Sequence, residues 1–193
     1  MRRLVYTAAA LIALTAISCS DSNPVGVANI DPETTPTMQT RNVETLISDS
    51  GITRFRITAP VWFVYDEAAE PTWKFPESLL LERFDDKMNV EATVSSDSAT
   101  YLKNRQIWRL DGNVVIRNTA GERFLTEQLF WDQRLHKVYS DSFIHIERTD
   151  KTLEGYGFTS NEQLTRYTIN RVSGIFPASQ FSPRQHERSD SLQ

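Results

Sequence analysis

Polar and apolar residues alternate through most of the middle of this chain. In Thr53-Arg54-Phe55-Arg56-Ile57-Thr58 the apolar side chains fall on every second position, and Asn113-Val114-Val115-Ile116-Arg117 follows the pattern less strictly. Ser142-Phe143-Ile144-His145-Ile146-Glu147 and Arg166-Tyr167-Thr168-Ile169-Asn170 continue it with β-branched and aromatic residues. A period of two sends successive side chains to opposite faces of a strand and gives a helix no coherent apolar stripe. Turn formers separate the runs: Asp111-Gly112-Asn113, Asn118-Thr119-Ala120-Gly121, Asp132-Gln133, Asp150-Lys151 and Ser173-Gly174. Helix-like windows are confined to short stretches at Val43–Ile47 and Pro76–Leu81. The expected fold is all-β.

The alternation also repeats on a longer scale. Shifted by about 30 residues, Val94 falls on Phe124, Ala99 on Leu129, Tyr101 on Trp131, Trp108 on Val138, Val114 on Ile144 and Ile116 on Ile146. Two polar corners coincide as well, Asp97 with Glu127 and Asp111 with Asp141, and a looser third copy runs from Gly157 to Phe176. Each unit reads as two antiparallel strands reversing near Lys103–Arg105 or Gln133–His136. Hairpins stacked in this way bury one face of each unit and line a groove or sandwich interior.

The two ends carry different signals. Met1-Arg2-Arg3 is followed by an apolar or small run from Leu4 to Ile17, broken only by Thr7 and Thr15, which matches a secretory signal. At about 14 residues the run is too short to span a bilayer as a helix, which takes about 20. It ends at Ser18-Cys19, and Cys19 is the only cysteine of the chain. A small residue directly before such a cysteine resembles the lipobox of bacterial lipoproteins. That resemblance implies an acylated Cys19 at the mature N-terminus, anchoring the protein to a membrane through its lipid. Residues 1–18 are then a signal peptide, and 19–40, rich in Ser, Asp, Pro and Thr, a flexible tether. The folded part is expected at 41–176, and the polar residues 177–193 read as a disordered tail. With 21 Lys+Arg against 25 Asp+Glu, the chain lacks the basic footprint of a nucleic-acid binder.

Within the folded part, Trp108-Arg109-Leu110-Asp111-Gly112-Asn113-Val114, then Gly121-Glu122 and Leu125-Thr126-Glu127-Gln128-Leu129-Phe130-Trp131-Asp132, resemble the LptC/OstA-like family. So do Val138-Tyr139-Ser140-Asp141, Ile144-His145-Ile146, Gly155-Tyr156-Gly157-Phe158 and Tyr167-Thr168-Ile169. Upstream, Arg56-Ile57-Thr58-Ala59-Pro60 and Trp73-Lys74-Phe75-Pro76-Glu77-Ser78-Leu79 are similar to the LptC branch, especially forms from Bacteroidetes-type bacteria. The resemblance implies an open β-jellyroll, or β-taco, with an apolar cleft. It implies lipopolysaccharide as cargo, received from an inner-membrane Lpt ABC transporter and passed to an LptA-like periplasmic protein. The location implied is the periplasmic side of the inner membrane. Many family members carry an N-terminal transmembrane helix, from which the Cys19 signal departs.

Acyl chains need a dry trough, and alternating strands supply one because every second side chain points inward. The lining candidates are Phe55, Ile57, Tyr101, Trp108, Leu110, Val114, Ile116, Leu129, Trp131, Ile144, Ile146, Phe158 and Ile169, the same residues that an ordinary sandwich core would use. Arg54, Arg56, Lys103 and Arg105 could reach lipid phosphates or simply face solvent. Handover to the LptA-like partner would use an open sheet edge, with candidates Tyr167, Ile169 and Ile175 near the end of the stack.

An enzyme is not expected. His136, His145 and His186 are the only histidines, and neither a Gly-x-Ser-x-Gly elbow nor a His-Glu-x-x-His motif occurs. His145, flanked by Ile144 and Ile146, belongs to the opposite strand face as an exposed or hydrogen-bonded residue. Asp85-Asp86 beside Lys87-Met88-Asn89 reads as a turn, and Gly155-Tyr156-Gly157 lacks the rest of a dinucleotide site. No cofactor or metal is implied. The competing reading is a surface lipoprotein whose β-sandwich binds carbohydrate through Trp62, Trp73, Trp108 and Trp131. That use needs aromatic rings on an exposed face. Trp108 and Trp131 fall instead at repeat-matched apolar positions, which favours the inside, and Trp73 in the Pro71–Pro76 loop could be exposed under either reading.

Overall fold

Antiparallel pairing between strands close in sequence builds the fold of the described residues. The computed structural model describes residues 31–177. The expected signal peptide, Cys19, most of the tether and the tail after Pro177 lie outside the described residues. Eleven strands follow one another: β1 Met38–Asp49, β2 Ile52–Tyr65, β3 Thr72–Phe75, β4 Leu79–Phe84, β5 Val90–Ser96 and β6 Ser98–Leu102. They continue as β7 Ile107–Asn118, β8 Arg123–Asp132, β9 Lys137–Glu147, β10 Lys151–Asn161 and β11 Tyr167–Pro177. The fold is all-β, a single large antiparallel sheet consistent with an open β-jellyroll.

Short strands β3 and β4 together form one rung, as do β5 and β6. β3 and β4 both pair with β2, while β5 and β6 both pair with β7. The sheet is therefore a meander in which each rung lies beside its predecessor. Irregularities line up across it: the gap Pro76–Ser78, Asp97, and register shifts at Asp111–Val114, Thr126–Phe130 and Tyr156–Phe158. Bulges bend and twist the strands they interrupt, so this line is a crease that divides the sheet into two facing layers.

In layer one a single inward row runs Ile57–Leu81–Val94–Ile116–Phe124–Ile146–Leu153 through successive pairings. In layer two the row is Trp73–Tyr101–Trp108–Trp131–Val138–Ser160. The layers touch across the interior. Phe55 lies 5.3 Å from Trp131, and Phe124 lies 5.7 Å from Phe158 and 5.4 Å from Tyr167, between ring centroids.

Several local expectations change. Val43–Ile47 is strand rather than helix, because its backbone is paired with β2 from Val43↔Ala59 to Ile47↔Phe55. Pro76–Leu81 is not a helix either: residues 76–78 separate two half-strands, and Leu79–Leu81 open β4. Trp73 sits in β3 rather than in a loop, paired to β2 on one side and β6 on the other. Asp111-Gly112-Asn113 and Ser173-Gly174 are not chain reversals but lie within β7 and β11. Met38–Thr40, read as tether, are the start of β1, and Thr37 ahead of them donates to the Val64 carbonyl at 3.0 Å.

Candidate functional site

The two layers do not close completely. A cavity of about 550 Å³ lies between them, walled by Phe55, Leu81, Val94 and Ile116 on one side and by Leu110, Leu129, Trp131 and Val138 on the other. A second space of about 340 Å³ shares Phe55, Leu81 and Trp131 with it and extends to Ile47 and Trp108. The walls are apolar because both inward rows present their large side chains here. The size falls within the range of about 300–1,000 Å³ usual for small-molecule sites.

The rim is charged and mostly acidic, with Asp49, Asp85, Asp86, Glu91 and Glu162 beside Arg54, Arg83 and His136. Arg54 pairs with Asp86, and Arg83 Nε lies 3.2 Å from Glu91. Asp85 caps its own turn, accepting from the Lys87 and Asn89 N–H groups at 2.8 Å. The Asn89 side chain, followed by its backbone, holds the Asp85 carboxyl below its ordinary range. The remaining candidate phosphate ligands are paired too. Arg56 bonds Glu82, whose carboxyl this lowers, while Lys103 reaches Asp66 and Arg105 reaches Glu70, each at 2.7 Å.

Of the lining candidates, Phe55, Leu110, Ile116, Leu129 and Trp131 border the larger space, and Trp108 borders the smaller. Ile57, Val114, Ile144, Ile146 and Phe158 are at most 1% exposed and form solid core. Tyr101 and Ile169 are half-buried and pack against that core. Leu81, Val94, Val138 and Leu164 also wall the cavity and were missed. The first three lie in regular inward rows and could have been found by extending the alternation, whereas Leu164 lies in a polar loop with no periodic neighbours.

A model of the lipopolysaccharide-assembly, LptC-related family matches residues 7–175. The chain belongs to that family. No curated protein matches it. Membership gives the LptC-related chain a role in lipopolysaccharide transport and a periplasmic setting associated with the inner membrane. The family is one of transport proteins and is not known for catalysis.

The tryptophans of this LptC-related chain are used inside. Trp73 lies 5.1 Å from both Trp62 and Tyr101, and Tyr101 lies 4.8 Å from Trp108, closing one end of the interior with stacked and edge-on rings. Trp131 walls the cavity. The described histidines sit in hydrogen-bonded pairs, His145 Nδ1 with Glu154 at 2.8 Å and His136 Nδ1 with Glu162 at 3.0 Å. Among the described residues, no three His, Cys, Asp or Glu side chains gather to hold a metal.

Of the edge candidates, Tyr167 turns its ring inward against Phe124 and Phe158, its hydroxyl accepting from Arg148 at 3.3 Å. Ile169 also packs inward, whereas Ile175 is 63% exposed. Among the described residues β11 pairs with β10 alone, so its other edge is open.

Proposed function

We propose that this protein carries lipopolysaccharide by its acyl chains in the cavity between the two layers. It accepts the lipid from an inner-membrane ABC transporter and passes it to an LptA-like periplasmic protein that adds a strand beside β11. Acylated Cys19 holds the chain at the membrane, with the residues between it and β1 as tether. The observation that carries the reading is the apolar space itself, bordered by Phe55, Leu110, Ile116, Leu129 and Trp131. Each methylene moved from water into such a space contributes about 0.8 kcal/mol, so ten of them give about 8 kcal/mol. That is enough to offset the lost freedom of one chain and to leave a reversible complex, as a shuttle needs.

A photocrosslinking residue at Trp131 tests this in transporter-containing membranes. The expected result is an ATP-dependent lipopolysaccharide adduct at Trp131 and none at Tyr139, which alternation places on the outer face between buried Val138 and Ser140. Absence of the Trp131 adduct, or equal adducts at both positions, would overturn the reading.

A further inference from the structure

The loop joining β10 to β11 reaches into the cavity. Leu164 at its tip is 3% exposed and belongs to the central apolar cluster, although it lies between exposed Gln163 and Thr165. It holds a φ of +57°, a left-handed conformation that a bulky residue adopts only where its surroundings enforce it. Its side chain is part of the cavity lining, together with Trp131 and Val138.

Glu162, two residues earlier, ties the loop down. Its carboxylate accepts from Trp131 Nε1 at 2.7 Å and meets His136 Nδ1 at 3.0 Å. Its backbone carbonyl accepts from Arg83 Nη1 at 3.4 Å, a bond that crosses from one layer to the other. The loop also has its own frame. Asn161 Oδ1 accepts from the Thr165 and Arg166 N–H groups, and the Leu164 N–H donates to the Asn161 carbonyl, each at 3.0 Å.

We propose that residues 161–166 are a lid on the cavity, with Leu164 as its plug and Glu162 as its latch. The inference rests on the lipid-carriage reading for its cargo, an acyl chain. The internal frame lets the loop lift as one piece. The ties that hold it down are few and lie at the rim, whereas the strands beneath are paired along their length, so opening the lid costs less than opening the sheet. Lifting removes Leu164 from space that an acyl chain would fill. It also frees the Trp131 indole N–H, which then faces the ester or amide carbonyls at the head of such a chain.

Thiol labelling of the full chain tests the lid without any ligand. In a Cys19→Ser background, Leu164→Cys places a thiol on the lid, while Ile144→Cys and Ile57→Cys place one in fixed core, where the native side chains are 0% exposed. Under native conditions a maleimide reaches each thiol only through an opening. After correction for global stability from urea unfolding, Leu164→Cys should react at least about tenfold faster than either core thiol. Adding Glu162→Ala should speed Leu164→Cys severalfold and leave the core thiols unchanged. Equal rates at all three positions, or an equal gain at all three, would mean that the whole domain opens and would overturn the lid.

Uptake of cis-parinaric acid, followed by its fluorescence, tests the cargo separately. Faster uptake in Glu162→Ala supports the lid as gate, and uptake at an unchanged rate overturns that role. No uptake by the parent chain, with the labelling pattern intact, removes the acyl cargo and the lipid-carriage reading while leaving the lid standing.

Discussion

Gly112 turns with a φ of +76°, and a Cβ built on it would lie 2.7 Å from the Asp97 carboxylate. That carboxylate is held in place by the Asn113 amide at 2.7 Å, so it has little room to give. Gly121 has nearly the same φ, +75°, but open space around it. Gly121→Ala should therefore lose about 1–2 kcal/mol from left-handed backbone strain alone. Gly112→Ala should lose at least about 1 kcal/mol more in urea unfolding, from the added overlap at the crease. Equal losses would show that Asp97 simply swings aside. Alternation along single strands told inside from outside at this scale, and the lining candidates fall in the core or against it. It could not tell which inward residues border a space and which meet the opposite layer. Phe55 and Ile57 lie on the same face of β2, yet Ile57 is 0% exposed while Phe55 is only part-buried and borders the cavity. That difference arises from how far apart the layers stand at each point, which no single strand encodes.

The crease is the element on which the fold turns, and small buried hydroxyls satisfy its backbone. Ser96 donates to the Ser98 carbonyl at 2.9 Å, Thr126 to the Phe143 carbonyl at 2.7 Å, and Ser140 accepts from the Ser142 N–H at 3.1 Å. Each lies beside an interruption where a ladder bond is missing, and a buried backbone group left alone is costly. Thr126→Val keeps the shape and removes the donor. It should destabilise the domain by about 1–3 kcal/mol in urea unfolding, against about 0.5 kcal/mol or less for exposed Thr168→Val. A neutral Thr126→Val would mean that the crease is held by packing instead. The 30-residue repeat is this crease seen in sequence: its polar corners Asp97, Glu127, Asp111 and Asp141 all lie on it, and its six apolar pairs are all in or against the core. The shift advances the chain by one hairpin. Asp111-Gly112-Asn113 was misleading as a turn because a bulge and a reversal need the same residues, and only the partner strand distinguishes them.

At the scale of the whole molecule, a meander leaves two ends, and among the described residues β1 pairs with β2 alone and β11 with β10 alone. The inward row of layer one reaches β11 as Leu153↔Ile175, but there the facing layer no longer covers it, and Ile175 is 63% exposed with Val172 at 56%. A strand added beside β11 would extend the ladder and shelter the end of that row, which is the geometry the proposed handover requires. An edge left open with apolar side chains is otherwise an aggregation liability that proteins usually blunt with charge. The double variant Val172→Lys, Ile175→Lys supplies that charge at positions outside the core cluster, so its urea midpoint should stay close to that of the parent chain. Capture of an LptA-like partner in a pull-down should fall at least about tenfold, because each added strand would have to bury a lysine against its own row. Full capture by the folded double variant would exclude β11 as the handover edge and leave β1 as the other open end of the sheet.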